Sequence, residues 1–209
     1  MYKWWKNIFD RLLALLALVV FSPLLAIIAL AIKIDSPGSS IFRQERVGKD
    51  ERRFTIYKFR SMYENHNDSE YKRFLQQYML EGLTCPAEHN GPTAYELAFA
   101  PRVTKLGKIL RRTCLDELPQ LVNVLKGEMS LIGPRPDIPF AVEMYQPHHH
   151  DRFRVKPGIT GLWQVSGRRV LTFEEMVRLD IDYINQQSLL LDAKIALLTI
   201  REMLFRNGR

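Results

Sequence analysis

The sequence has 209 residues, of which 46% are hydrophobic and 25% are charged. That length suits one domain with a sizeable core, and the composition excludes a disordered or collagen-like chain and a membrane protein built of many spans. Lysine and arginine outnumber aspartate and glutamate to give a net charge of +7, which fits a polyanionic partner such as nucleic acid, anionic lipid or a phosphorylated substrate.

The first element in chain order is an uncharged run from Leu12 to Ile32, in which Ser22 is the only polar side chain. A straight helix of this length rises roughly 31 Å, close to the thickness of the hydrocarbon core, which indicates a membrane-spanning helix. Pro23, however, removes a backbone hydrogen bond in the middle of the run. Basic residues flank both ends, which favours placing both ends in the cytoplasm. We therefore predict a re-entrant anchor over residues 1–34, kinked at Ser22 and Pro23; a spanning helix, a signal peptide and a buried helix are the alternatives.

A strand is the next predicted element. Polar and apolar side chains alternate from Arg53 to Phe59, and a shorter strand-like piece precedes them at Ser40 to Phe42. The alternation places Lys58 and Arg60 on one face at the strand end, either as solvated charges or as ligands for an anion. Residues 63–100 are less regular and are predicted to be a surface insertion.

Two helices follow the insertion. A short basic helix is predicted over Val103–Arg112, and a second helix ends at Gly127. Because proline is tolerated only in the first turn, Pro119 requires the second helix to begin close to Asp116. Asp116 and Glu117 then lie at a helix N-terminus, which favours anions and keeps Asp116 ionised. An ionised carboxylate is a candidate nucleophile toward phosphorus, and adjacent carboxylates can hold Mg²⁺. A simple helix cap is the alternative.

Two later segments hold arginines in rigid turns. Pro134 and Pro136 enclose Arg135, so its guanidinium has little conformational freedom left to lose on binding phosphate. Arg168 lies beside a second turn rich in glycine, close to an aromatic side chain. The consecutive histidines 148–150 point in different directions and are predicted to form a solvated polar turn.

The C-terminal segment predicts two more helices. Thr172 and Glu175 form a capping box ahead of the first, and Ser188 begins the second. The second helix is apolar around much of its circumference, so it is buried or lies partly in the membrane interface.

Taken together, these motifs resemble the bacterial sugar transferases that act as monotopic polyprenyl-phosphate phosphoglycosyl transferases. Six motifs occur in order along the chain, and each one alone is weak. They are Ser22-Pro23, Asp35-Ser36-Pro37-Gly38, Lys58-Phe59-Arg60-Ser61-Met62, Leu115-Asp116-Glu117-Leu118-Pro119-Gln120, Ser130-Leu131-Ile132-Gly133-Pro134-Arg135-Pro136 and Lys156-Pro157-Gly158-Ile159-Thr160-Gly161. Longer members carry additional membrane helices and a further domain, so the chain resembles the minimal catalytic form.

The resemblance implies transfer of a sugar 1-phosphate from a nucleoside diphosphate sugar, usually a UDP-sugar, to undecaprenyl phosphate, with release of UMP. This reaction is the first membrane step of a capsule, O-antigen, exopolysaccharide or glycoprotein glycan pathway. By the same resemblance Asp116 attacks the phosphate next to the sugar to form a covalent phosphosugar intermediate, and Asp116 and Glu117 bind Mg²⁺. The candidates for phosphate binding are Lys58, Arg60, Arg112, Arg135 and Arg168.

The expected fold is α/β, mostly α with a small sheet. It comprises a re-entrant helix-break-helix anchor and one compact cytoplasmic catalytic domain over residues 35–209, with amphipathic interfacial helices in contact with membrane lipids. The expected location is the cytoplasmic face of the bacterial inner membrane. The sugar and the oligomeric state, a homodimer included, are left open.

A membrane-tethered basic protein that binds anionic lipid or nucleic acid without catalysis is the alternative function. Acidic residues beside the basic cleft would repel a nucleic acid backbone, so nucleic acid is not expected as a partner.

Overall fold

A computed structural model of the chain describes residues 2–63, 69–80, 102–166 and 171–205. The described part is mostly helical with two small sheets, which confirms the predicted α/β class. Its helices are α1 (Tyr2–Asp35), α2 (Ser69–Leu80), α3 (Lys105–Arg112), α4 (Leu121–Lys126), α5 (Pro139–Val142), α6 (Leu162–Val165), α7 (Phe173–Gln186) and α8 (Leu189–Phe205). Its strands are β1 (Ile41–Val47), β2 (Arg53–Phe59), β3 (Ser130–Ile132) and β4 (Gly158–Thr160), and 3₁₀ helices cover Lys49–Glu51, Leu115–Gln120 and Pro147–Arg154.

Helix α1 continues through Ser22 and Pro23, so the two expected halves are not separated by a non-helical break. Pro23 has no N–H to donate to the carbonyl of Val19, four residues earlier. The Ser22 hydroxyl donates to that same carbonyl at 2.8 Å and supplies the missing donor. The serine beside the proline therefore allows the helix to continue, and the re-entrant placement stays a prediction.

Both halves of α1 pack against the rest of the chain. Ala14 is fully buried beside Leu121 and Val124 of α4, and Ile28 packs on Phe59 at the end of β2. The opposite face is apolar and exposed; its residues include Leu12, Leu16, Val19, Val20, Ile27 and Leu30. Among the described residues, α1 is the helix long and apolar enough to cross a membrane, with an 18-residue window of mean hydropathy 2.9 that is 11% buried.

Strands β1 and β2 form an antiparallel hairpin. The bounds of β2 are those predicted, whereas β1 is longer than the piece expected at Ser40 to Phe42. The buried amide of Asn123 in α4 binds β2: its Oδ1 accepts the N–H of Tyr57 at 3.1 Å, and its Nδ2 donates to the carbonyl of Thr55 at 2.7 Å. Helix α4 therefore fixes the strand that carries Lys58.

Strands β3 and β4 pair in parallel, although the sequence indicated only rigid turns there. Gly133 N donates to the carbonyl of Thr160 at 2.9 Å, and Gly158 N donates to the carbonyl of Pro134 at 2.8 Å. A Cβ at Gly158 would lie 2.1 Å from Gly133 N, so only glycine permits this backbone approach. The pairing fixes the start of the loop that carries Arg135.

Local signals near the C-terminus predicted the structure well. Glu175 N donates to the Thr172 hydroxyl at 3.2 Å, and Thr172 N donates to Glu175 Oε2 at 2.8 Å, which confirms the capping box. Helix α8 begins after Ser188, whose hydroxyl accepts the N–H of Leu191. Within the predicted insertion 63–100, α2 is described and packs against α7, and the remainder from residue 81 lies outside the described residues.

We predict that Gly158→Ala lowers the free energy of unfolding by about 1–3 kcal/mol, because backbone atoms of β3 and β4 must separate to admit the methyl group. Thermal unfolding in detergent measures the change. Gly48→Ala is the matched control, since its Cβ would meet the Phe54 ring at 3.1 Å, which can rotate away, and the Arg52 carbonyl at an ordinary contact distance of 3.5 Å. Equal destabilisation by the two variants would contradict the close-approach explanation.

Candidate active site

The candidate site is centred on Glu117, in the 3₁₀ helix Leu115–Gln120. One oxygen, Glu117 Oε1, lies 3.0 Å from Lys58 Nζ on β2 and 3.0 Å from Arg135 Nη2 in the loop after β3. The three side chains are mostly buried, with exposed fractions of 15%, 15% and 27% for Glu117, Lys58 and Arg135. The structure thus brings three of the predicted site residues together from three separate segments.

The turn that presents Asp116 begins at Cys114, which has a left-handed backbone with φ of 55°. An α-helix starting at Leu115 would need the N–H of residue 119 for the Leu115 carbonyl, and Pro119 has none. The chain therefore forms a 3₁₀ helix over Leu115–Gln120, and α-helical structure starts only at Leu121. The predicted helical start near Asp116 is confirmed, but as a 3₁₀ helix and not as an α-helix.

Burial dominates the electrostatics of the site. It raises the pKa of the Asp116 carboxyl above its ordinary value, and the neighbouring Glu117 raises that pKa further. The cations Lys58, Arg111 and Arg135 oppose the rise. Burial also lowers the pKa of Lys58 to about 8, against the attraction of Glu117. The sequence predicted that the helix dipole keeps Asp116 ionised; in the structure, burial is the larger effect.

Two of the predicted phosphate ligands, Arg60 and Arg112, lie outside the cluster around Glu117. Arg60 is 4% exposed, and its Nη2 donates to the carbonyl of Ser36 at 2.6 Å and to the Ser36 hydroxyl at 2.9 Å. It therefore binds the chain at the end of α1, and this geometry does not support a phosphate-binding role. Arg112 is exposed on α3, whereas the adjacent Arg111 lies close enough to lower the pKa of Asp116. Arg168 lies outside the described residues.

Two residues that act electrostatically on the site, Arg111 and Arg46, were not predicted from the sequence. Arg46 lies on β1, acts electrostatically on Lys58 and donates from Nη1 to the carbonyl of Pro136 at 3.1 Å. No sequence signal distinguishes Arg111 from Arg112, because their directions depend on the left-handed turn at Cys114 that follows α3.

The carboxylates are chemically suited to Mg²⁺, which prefers oxygen ligands and is commonly held by one or two carboxylates. Glu117 already faces Lys58 and Arg135 through Oε1. Asp116 is therefore the better candidate ligand of the predicted pair, with Glu117 beside it.

The histidine segment is not the solvated turn that was predicted. It belongs to the 3₁₀ helix Pro147–Arg154, where His149 is buried. His149 Nδ1 accepts the N–H of Gln146 at 2.9 Å, so Nε2 carries the proton and donates to Glu174 Oε1 at 2.7 Å. His148 also contacts Glu174, and the three side chains lie close enough to hold a metal ion. The hydrogen bonds of His149 already account for its burial.

An apolar groove of about 360 Å³ runs beside the site. The wall on α1 consists of Leu13, Leu16, Ala17, Val20 and Phe21, and the other wall of Leu121 and Leu131. Leu121 directly follows the 3₁₀ helix that carries Asp116. The groove therefore lies between the apolar face of α1 and the residue that follows the 3₁₀ helix with Asp116.

A carboxylate-and-cation site packed against a long apolar helix defines a membrane-associated protein suited to phosphorylated substrates. The sequence profile of the bacterial sugar transferase family matches residues 1–206. The chain therefore belongs to the bacterial sugar transferase family, which confirms the family that the sequence motifs predicted.

The chain is similar to three relatives that differ in length. It is 45% identical to the galactosyl transferase CpsE of Streptococcus agalactiae over 82% of this chain and 36% of that protein. It is 37% identical to the exopolysaccharide production protein ExoY of Sinorhizobium fredii over 97% of this chain and 87% of that protein. It is 41% identical to the UDP-glucose:undecaprenyl-phosphate glucose-1-phosphate transferase of Escherichia coli over 93% of this chain and 39% of that protein. The chain thus spans little more than a third of the first and third relatives.

We predict that Glu117→Gln lowers the pKa of Lys58 below its value of about 8 and also lowers the pKa of Asp116, since the Glu117 charge raises both. NMR titration of labelled lysine and aspartate side chains in micelles measures both values. Glu45→Gln, which removes an exposed carboxylate of β1, is the control and should move neither. An unchanged Lys58 titration in Glu117→Gln would contradict the assigned pairing.

Proposed function

We propose that the chain transfers a sugar 1-phosphate from a UDP-sugar to undecaprenyl phosphate, which gives undecaprenyl-diphosphate-sugar and UMP. The observation that carries the proposal is the position of the Asp116 carboxylate, which is buried beside the Lys58–Glu117–Arg135 cluster and close enough to its cations for them to lower its pKa. The names of the Escherichia coli relative and of an undecaprenyl-phosphate galactose phosphotransferase from Salmonella typhimurium, 36% identical, support the substrates.

In the proposed reaction, the Asp116 carboxylate attacks the phosphorus that is bonded to the sugar. A bond forms between Asp116 and phosphorus, the bond to the bridging oxygen breaks, and UMP leaves with that oxygen. The phosphate of the lipid acceptor then attacks the same phosphorus and releases Asp116. Two successive displacements at one phosphorus let a single carboxylate serve a water-soluble donor and a lipid acceptor in turn.

In the proposed reaction, the cations next to Asp116 stabilise the negative charge that develops on the phosphate oxygens. Lys58 and Arg135 are fixed by Glu117, so they can face phosphate oxygens without reorganising during the reaction. Arg111 adds a third positive charge near Asp116. Mg²⁺, when bound by Asp116 and Glu117, would neutralise phosphate charge at the same place. Because burial disfavours ionised Asp116, these cations also stabilise the form of Asp116 that attacks.

We propose that α1 enters the membrane and returns on the cytoplasmic side. Near its start, Lys6 Nζ lies 2.6 Å from Asp192 Oδ2 on α8, and Asp10 accepts a hydrogen bond from Ser130. At its end, Arg60 binds the Ser36 carbonyl. If α1 crossed the bilayer, its two ends would lie on opposite sides of the membrane. The domain contacts both ends, so part of the domain would have to lie on each side. Basic flanks favour the cytoplasmic side.

The groove beside α4 suits the apolar chain of the lipid acceptor under this proposal. Its walls expose almost no polar surface, and it ends next to the segment that carries Asp116. An apolar chain seated there would leave its phosphate at the level of the site.

We predict that Asp116→Asn lowers the rate of lipid-linked product formation by roughly 10³-fold or more, because the amide is not a nucleophile. UMP release and lipid-linked sugar, measured with purified full-length protein, a panel of UDP-sugars, Mg²⁺ and undecaprenyl phosphate, give the rate. Asp151→Asn, which removes an exposed carboxylate, is the control and should keep full activity. Product formation at the normal rate by Asp116→Asn would overturn the covalent mechanism.

We predict that both flanks of the apolar run face the cytoplasm. Lys3→Cys before it and Glu45→Cys after it are exposed and suit reaction with a membrane-impermeant thiol reagent, located by peptide mass mapping. Both should react in inverted membrane vesicles and neither in intact spheroplasts. Reaction of Lys3→Cys in intact spheroplasts would establish a spanning helix in place of the re-entrant one.

A further inference from the structure

The buried side chain of Arg152 lies behind the candidate site and has no part in the reaction described above. It is 4% exposed and belongs to the 3₁₀ helix Pro147–Arg154. Its Nε donates to Asp180 Oδ2 at 2.8 Å, its Nη1 donates to Asp137 Oδ2 at 2.6 Å, and its Nη2 donates to the carbonyl of Arg135 at 3.2 Å. One guanidinium thus joins α7 to the loop that carries Arg135.

The loop around Arg135 lacks two backbone hydrogen-bond donors, one on each side of Arg135. Pro134 and Pro136 have no N–H, so neither can donate a hydrogen bond. Each of the three carbonyls has a donor: Gly158 N binds that of Pro134 at 2.8 Å, Arg152 Nη2 binds that of Arg135, and Arg46 Nη1 binds that of Pro136 at 3.1 Å. Arg152 therefore binds the backbone of Arg135, the residue whose side chain contacts Glu117.

We propose that Arg152 is a positioning residue that fixes Arg135 for contact with the donor phosphate. This inference rests on the proposed function. Asp180, fully buried on α7, orients the guanidinium, and the Tyr145 hydroxyl bonds both Arg152 and Asp137. The brace acts on the backbone of Arg135 and leaves its side chain directed to Glu117.

The composition of this cluster fits a role in function better than one in stability alone. Burying a cation with two carboxylates costs desolvation energy that a well-packed apolar cluster of the same volume avoids. The cluster also leaves Asp180 Oδ1 without a hydrogen-bond donor among the residues that the structure describes. The cluster holds the Arg135 carbonyl rigidly in place. Such rigidity matters for catalysis because a displacement of about 1 Å in a substrate-binding group can lower the rate about 10²-fold.

A double-mutant cycle tests the proposal in the full-length protein, by kcat/KM for UMP release in the complete reaction. Arg152→Lys keeps the buried charge, but a single ammonium cannot reproduce the planar fork that spans Asp180, Asp137 and the Arg135 carbonyl. Arg135→Gln removes the group that Arg152 is inferred to position. We expect Arg152→Lys to lower kcat/KM by about tenfold or more, and to change it little further when Arg135 is already Gln.

The control is Arg154→Lys, an exposed arginine in the same 3₁₀ helix, which should leave kcat/KM unchanged. If Arg152→Lys does not fold, Tyr145→Phe, which removes one hydroxyl from the cluster, takes its place in the cycle. The proposal would be overturned if the losses in kcat/KM of the two single variants multiplied in the double variant. An unchanged kcat/KM in Arg152→Lys or in Arg135→Gln would also overturn it. Absence of turnover by the wild-type protein would instead overturn the proposed function itself.

Discussion

The carboxylate of Glu117 is the interaction on which the candidate site depends. A single oxygen pairs with Lys58 from the β1–β2 hairpin and with Arg135 from the loop after β3. Without it, two largely buried cations would face each other uncompensated, which is strongly unfavourable at low dielectric. The same contact places both cations beside Asp116. The contact that neutralises the two cations therefore also assembles the proposed phosphate-binding surface.

The anchor helix is part of the domain and not a tether to it. Ala14 and Ile28, from its two halves, are buried in different clusters of the core, and polar contacts fasten each end. The Ser22 hydroxyl supplies the donor that Pro23 lacks, so α1 stays helical at the apex of the proposed hairpin. Because α4 packs on α1 and also follows the 3₁₀ helix that carries Asp116, the position of α1 and that of the proposed nucleophile are coupled.

Features set by local chemistry could be predicted from the sequence. The alternation of β2, the capping box at Thr172 and the glycine that ends α4 depend only on neighbours along the chain, and all three are confirmed. The β3–β4 pair could not be predicted from the sequence. Strands of three residues are too short to show an alternating pattern, and the paired residues Ser130 and Gly158 are 28 positions apart in the chain. The contact of Arg60 with Ser36 could not be predicted either, since β2 ends at Phe59 and alternation does not govern the residue beyond it.

Mass spectrometry of the purified protein, after incubation with a UDP-sugar and Mg²⁺ in the absence of lipid acceptor, tests the proposed covalent mechanism. We expect a sugar-phosphate adduct that fragmentation locates on Asp116 and that disappears when undecaprenyl phosphate is added. An adduct on another residue, or lipid-linked product formed with no adduct on Asp116, would contradict it.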